Sequence, residues 1–377
     1  LSELDSIRIR IEESEFRLSP AAAKSRYGRG RRIPEATSAM RGEFQRDRDR
    51  IVHSHAFRRL KHKTQVFLAP QGDHYVTRLT HTIIASQIAR TIARALNLNE
   101  DLAEAITLGH DLGHTPFGHA GEEMLNTLVR GGFRHNEQSL RIVEVLEKNG
   151  AGLNLTWEVR DGILHHSKSR SSVAAEAAGV ASTLEGQITK LADSVAYINH
   201  DIGDAIRAGV IEEDELPPEC TAALGDRDSV RIGRMVEDII VSSWTAAATD
   251  QNSHGQSFGA YQREQQRIAS MAASGKAAIQ MSASMLDGVD RLREFLFQRV
   301  YADPLAQAEM VKAKQVVRLL YEHFLRFPEQ IPEEFRQTVG NTPTPQLVCD
   351  YVSGMTDRYA LSVFEQLYVP ASWGGLA

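Results

Sequence analysis

"EGQITKLADSVAYINHDIGDAIRAG", residues 185–209, decides the fold class. Ile188, Leu191, Val195, Ile198, Ile202 and Ile206 recur every three to four residues, the period that collects side chains on one face of an α-helix. Beside that stripe, Asp193, Tyr197 and Asp201 are spaced four and four, so they form a single polar row. A carboxylate next to a buried stripe is costly unless it is paired or bound to a metal. Two carboxylates and a phenol in one row on a core-facing helix are hard to explain as surface.

The same period runs outward along the chain. Residues 76–98 place Leu79, Ile83, Ile84, Ile88, Ile92 and Leu96 at helical spacing. Residues 99–113 start on a plausible cap, Asn99, and break at Gly113. A shorter helix is predicted from residue 135 to an Asn-Gly stop at 149–150, and amphipathic stretches cover roughly 226–248, 258–300, 305–327 and 344–368. No run alternates as a strand does, and no repeat has a fixed period. The expected fold is an all-α bundle, with a basic N-terminal segment (1–40), a site-bearing core (41–210) and a helical C-terminal region (211–377). Residues 167–184 are Ser/Ala/Gly-rich and read as a flap or an ordinary surface insertion, and 211–219 are acidic and proline-broken.

Composition narrows the function classes. The chain has 377 residues, 42% of them hydrophobic, enough for one large core or two modest ones. No apolar run is long enough to span a bilayer, and no opening segment reads as a signal peptide. Cys220 and Cys349 stand far apart, in no metal or redox spacing. They read as free thiols, and a cytoplasmic location is expected. Net charge is −6, yet residues 24–63 hold 13 Lys+Arg against 4 Asp+Glu. A basic segment in an acidic chain points to an anionic ligand, either a nucleotide's phosphates or single-stranded nucleic acid, against the plainer reading of a solvated face.

Histidine is more skewed than charge. Eleven of 14 lie between His53 and His166, and "HDLGHTPFGHAGEE" (110–123) alone holds three. On its own His110 reads as a core histidine bonded to a carbonyl. Neighbouring helices change that: His81 shares a helix side with Arg78, and the 185–209 helix offers Asp193. Three segments thus bring two imidazoles and two carboxylates, His81, His110, Asp111 and Asp193.

These motifs resemble a known family. "RLTH", "HDLGH" with "PFGHAGE", "FRHNEQSLRI" and "LADSVAY…HDIGDA" are similar, in order, to the HD-domain deoxynucleoside triphosphate triphosphohydrolases, the bacterial dGTPase-like branch. "FQRDRDRIVHSHAFRRLKHKTQVF" and "GLNLTWEVRDGILHH" fit the same order, so the resemblance covers about 41–210. It implies an HD-domain helical bundle that hydrolyses dNTPs at the α-phosphorus, as a phosphoric ester hydrolase. It makes His81, His110, Asp111 and Asp193 the ligands of one divalent ion (Mn, Mg, Fe or Zn). It places His119 and Glu122 at the catalytic centre with His135 near the phosphates, Arg78 and Tyr197 on the phosphates, and Gln65 and Asp201 on the sugar 3′-hydroxyl. Ser194 departs from the branch, which often has a second Asp there. The resemblance further implies a homo-oligomer, with a hexamer the expected form, and leaves room for a regulatory nucleotide.

The residues suit that chemistry. A divalent ion held by two His and two Asp lowers the pKa of bound water and draws charge from phosphorus. His119 is the candidate general acid or base, with Glu122 orienting it. His135 opens a helix, where an anion is welcome. His114 reads equally as a site neighbour or a turn residue, and His165 and His166 as pocket wall or solvated. Two other readings are an HD phosphohydrolase of monophosphates, cyclic dinucleotides or alarmones, and a nucleic-acid-binding module with a vestigial metal site.

Overall fold

The stripe at 185–209 forms one unbroken helix, Leu184–Arg207, whose N-cap Thr183 accepts the Gly186 N–H at 3.1 Å. Ile188, Val195, Ile198 and Ile202 on it are fully buried. The computed structural model describes residues 3–65, 76–167, 179–247 and 258–370. Among them are seventeen α-helices and no β-strand, only two isolated bridges, Arg31–Thr156 and Thr64–Thr77. The all-α expectation holds.

Three apolar clusters organise the helices. The first joins Arg78–Ala95 and Leu184–Arg207 to Asp228–Ser243 and Ala283–Leu296, through residues such as Ile92, Ile198, Ile239 and Leu292. The second gathers Glu43–Val52, Glu100–Gly109 and Trp157–Leu164 around Ile51, Ile106 and Val159. The third packs His119–Leu128 against Pro304–Arg326, Thr344–Ser353 and Asp357–Tyr368, through Leu125, Leu320, Val348 and Ala360. Each fully buried Leu or Ile contributes roughly 1.5–3 kcal/mol. The His119–Leu128 helix is therefore held by the C-terminal helices as much as by its sequence neighbours.

Local chemistry sets the element ends. Asn99 does cap its helix, accepting the Leu102 N–H at 3.2 Å, and that helix ends at Gly109 with His110 just past it. The stretch 258–300 splits into Phe258–Ala273 and Ala283–Leu296. Gly275 takes a positive φ of 74° in the break, and Ser282 caps the second helix. Of the loose segment 167–184, residues 168–178 lie outside the described residues. No helix among the described residues is long and apolar enough to cross a membrane. Cys220 and Cys349 are both buried free thiols.

Much of the basic segment's charge is taken up internally. Arg31 pairs with Asp47 and Glu43, Arg46 with Glu43 and Glu35, Arg48 with Asp101 and Glu104, and Arg50 with Glu35. Lys24 and Lys63 are buried.

Candidate active site

Three chain segments deliver the four expected donors to one place. Thr77 caps the Arg78–Ala95 helix, which puts His81 in its first turn, facing the 184–207 helix. His81 Nε2 lies 3.0 Å from Asp193 Oδ1. His110 Nε2 is 3.2 Å from Asp111 Oδ1 and 3.8 Å from the same Asp193 oxygen. All four residues are buried. His81, His110 and Asp111 each offer a ligand atom within 4.8 Å of the others'.

The donor set fits a divalent cation. His110 Nδ1 donates to the Thr107 carbonyl at 2.6 Å, which fixes the ring and turns Nε2 to the carboxylates. That Nε2 is buried and makes no well-formed hydrogen bond. Burial works against charge on His110, yet Asp111 and Asp193 outweigh it and raise the ring to about 9. Burial likewise opposes ionisation of Asp111, but His110, His114 and Arg78 hold it well below the usual carboxylate range. Two carboxylates and two imidazoles thus converge on a point that calls for positive charge. The mixed N/O set does not choose among Mn, Fe, Zn and Mg.

A cavity of about 440 Å³ opens over this point, and Arg78, Asp111, Asp193, Tyr197 and Asp201 line it. So do Gln65, His114, His119, His135 and His166. Arg78 is buried, with Nη1 2.9 Å from Asp111 Oδ2. Gln65 Oε1 is buried with no hydrogen-bond partner among the described residues. His119 stands at the mouth with 71% of its side chain exposed, its Nδ1 3.5 Å from Glu122 Oε2.

Glu122 is engaged more closely by His135 than by His119. Its Oε1 accepts both the N–H and the Nδ1–H of His135, each at 2.8 Å. The anion at the start of the His135–Arg141 helix is therefore this carboxylate. Burial raises the Glu122 carboxyl, but His135 and His119 outweigh it and hold it well below its ordinary range. Burial opposes the His135 imidazolium, and Glu122 prevails and raises it. His114 stacks on His135, with centroids 4.1 Å apart, and reaches Asp111 Oδ1 at 3.2 Å. Burial and the Arg78 charge keep His114 well below its usual range. Gly113 lets this happen: a Cβ there would meet Ser139 N at 2.2 Å and His135 O at 2.3 Å.

The sequence left His166 open, and the structure places it in the cavity wall, 1% exposed. Sequence reasoning missed a second row entirely. Arg293, Phe297 and Tyr301 line the cavity beside Tyr197 and Asp201. Tyr301 donates its hydroxyl to Asp201 Oδ2, and Arg293 hydrogen-bonds Tyr197. The signal was present: 293, 297 and 301 are spaced four and four, the same interval as 193, 197 and 201.

Comparison with known proteins agrees with this architecture. The HD domain family matches residues 78–198, and the phosphohydrolase-associated domain matches 279–366. A deoxyguanosinetriphosphate triphosphohydrolase-like protein of Caldanaerobacter subterraneus is 49% identical over 368 residues, 97% of each chain. Proteins of the same description from Desulfatibacillum aliphaticivorans and Clostridium tetani are 45% and 42% identical. Each of these alignments covers 97% of this chain, with 99% and 97% of the respective relative. With identity sustained across both matched domains, the chain belongs to the deoxyguanosinetriphosphate triphosphohydrolase-like branch of the HD-domain hydrolases.

Proposed function

We propose that the chain is a metal-dependent triphosphohydrolase that cleaves a deoxynucleoside triphosphate at the α-phosphorus, releasing deoxynucleoside and inorganic triphosphate. The observation that carries this reading is the convergence of His81, His110, Asp111 and Asp193 beneath a cavity of nucleotide size. Those four residues would hold one divalent ion. When bound, that ion supplies charge neutralisation and an acidified water.

The remaining residues divide the other tasks. Breaking the P–O5′ bond leaves an alkoxide that needs a proton, and His119 at the cavity mouth would give one. Glu122 orients the imidazoles on either side of it. The His135 imidazolium and Arg78 supply positive charge for phosphate oxygens. Gln65, with an unsatisfied oxygen, and Asp201, held by Tyr301, suit a sugar hydroxyl, and Tyr197 with Arg293 completes that wall. The ion-paired state of the basic segment favours this reading over a nucleic-acid-binding module.

The test is incubation of the protein with each dNTP and Mn²⁺, with products resolved by anion-exchange chromatography. Triphosphate plus nucleoside is the expected result. Orthophosphate released from a monophosphate substrate, or no turnover with salt-sensitive DNA binding, would replace the reading with one of its rivals.

A further inference from the structure

Asp357 is the first residue of the Asp357–Tyr368 helix and is 7% exposed. Its side chain does not cap its own helix, because Thr356 already accepts the Tyr359 N–H at 3.2 Å. The carboxylate instead faces two segments of the cavity. Oδ1 accepts the Phe117 N–H at 2.9 Å; Oδ2 accepts the Thr64 N–H at 2.9 Å and the Thr64 hydroxyl. Thr64 immediately precedes Gln65, and Phe117 stands two residues before His119. Asp357 itself is not among the residues lining the cavity.

The turn it grips has bonds of its own, the Thr115 hydroxyl donating to the Gly118 carbonyl at 2.7 Å and the Gly118 N–H to the Thr115 carbonyl at 3.3 Å, but its backbone needs more than these. Phe117 and Gly118 have φ values of 62° and 56°, and a bulky residue in the left-handed region persists only where its surroundings over-determine it. Two contacts from the rest of the fold add to those within the turn. The Phe117 ring is buried in the C-terminal cluster, and its N–H is bound by Asp357. Lys63 adds a parallel tie, donating to the carbonyls of His114 and Ser353. An ionised carboxylate suits three donors, since charge-assisted bonds are about twice as strong as neutral ones.

We infer that Asp357 is a positioning residue that sets the placement of Gln65 and His119 relative to each other, and so couples the C-terminal helices to the chemistry. The inference rests on the proposed function for its kinetic form. The substitution Asp357→Asn keeps shape and volume but leaves one acceptor oxygen, so one of the two segments is released. A misplacement of this kind costs about tenfold or more in rate.

A double-mutant cycle in the full chain loaded with Mn²⁺ tests it. D357N is expected to lower kcat about tenfold in the wild-type background and to change it less than about twofold in the H119A background. It is also expected to raise KM for dNTP, an effect lost in Q65A. Equal losses in all backgrounds, the mark of a merely structural residue, overturn the inference. Should D357N fail to fold, Thr64→Val removes one donor alone, and its KM effect must vanish in Q65A. Hydrogen exchange supplies a readout that needs no substrate: D357N must speed exchange at the Thr64 and Phe117 amides relative to remote helices. If the wild type hydrolyses no dNTP, the proposed function fails and exchange alone judges this inference. Unchanged exchange defeats it even in an active enzyme.

Discussion

His135 Nε2 lies 3.1 Å from His166 Nε2, and the other nitrogen of each ring is already engaged. His135 Nδ1 donates to Glu122, and His166 Nδ1 donates to the Ile163 carbonyl at 2.7 Å. Two bare lone pairs do not face each other at that distance, so one proton lies between the rings. Burial, with the charges of His110 and His135, lowers His166 to about 3, while Glu122 raises His135 against its burial. The proton therefore belongs to His135, giving a Glu122–His135–His166 relay with an imidazolium at its centre.

The first prediction follows from that assignment. Nitrogen-15 NMR of the imidazoles is expected to show both His135 nitrogens protonated near neutral pH. In His166→Ala the cation loses its acceptor, and the His135 pKa falls. A hydrogen bond to a charged group is worth about 1.5–3 kcal/mol, so kcat is expected to drop by about tenfold or more. A neutral His135 in the wild type would dismantle the relay.

The second prediction concerns the shared oxygen of Asp193, which lies 3.0 Å from His81 and 3.8 Å from His110. Replacing it by alanine is expected to abolish metal uptake and turnover together while circular dichroism stays unchanged. Outer partners of a metal site cost roughly 10–100-fold when removed, so a direct ligand should cost more. Elemental analysis and a turnover assay on the same sample decide this, and activity surviving without Asp193 removes the four-donor arrangement.

The third prediction tests the wall that no motif announced. Tyr301→Phe deletes only the hydroxyl that Asp201 accepts. A net hydrogen bond contributes about 0.5–1.5 kcal/mol, so KM should rise by about two- to tenfold, with kcat changed less. Steady-state kinetics with a deoxynucleotide whose 3′-hydroxyl is missing should show little further penalty from the substitution.

The fourth is a pH dependence of stability. Burial, together with the charges of Arg59 and Arg78, lowers Lys63 from 10.5 to about 7. Between pH 7 and 10.5 the unfolded chain holds a proton at this site that the folded chain does not. The cost of burying it is fully present below pH 7 and fades as pH rises. Stability from this group therefore increases with pH, by up to about 1.4 kcal/mol per unit. Denaturant titrations of wild type and Lys63→Met between pH 7 and 9 should show that slope in the wild type and its loss in the variant.

Half of the site could be read directly because each of its parts sits in a short, chemically dense segment. Asp193, Tyr197 and Asp201 were visible as a polar row against an apolar stripe, and they line the cavity together. His81, His110 and Asp111 were legible through their company. Arg293 and Tyr301 were not, because they come from a helix a hundred residues later whose polar row lies among ordinary charges. Neither was the role of Glu122 toward His135, since nothing in the spacing of 122 and 135 says that a loop folds back to join them. The packing of the His119–Leu128 helix against residues beyond 304 is a long-range choice among apolar faces, and local periodicity does not choose partners.

Gly113 has a consequence beyond packing. The turn bearing His110 and Asp111 rests on the helix that begins at His135 through close main-chain contact at Gly113 and through the Ser139 hydroxyl, which accepts the Gly113 N–H and donates to the His110 carbonyl, so the spacing from His110 and Asp111 to His135 is fixed at this one glycine. Any side chain added at residue 113 would force the two segments apart.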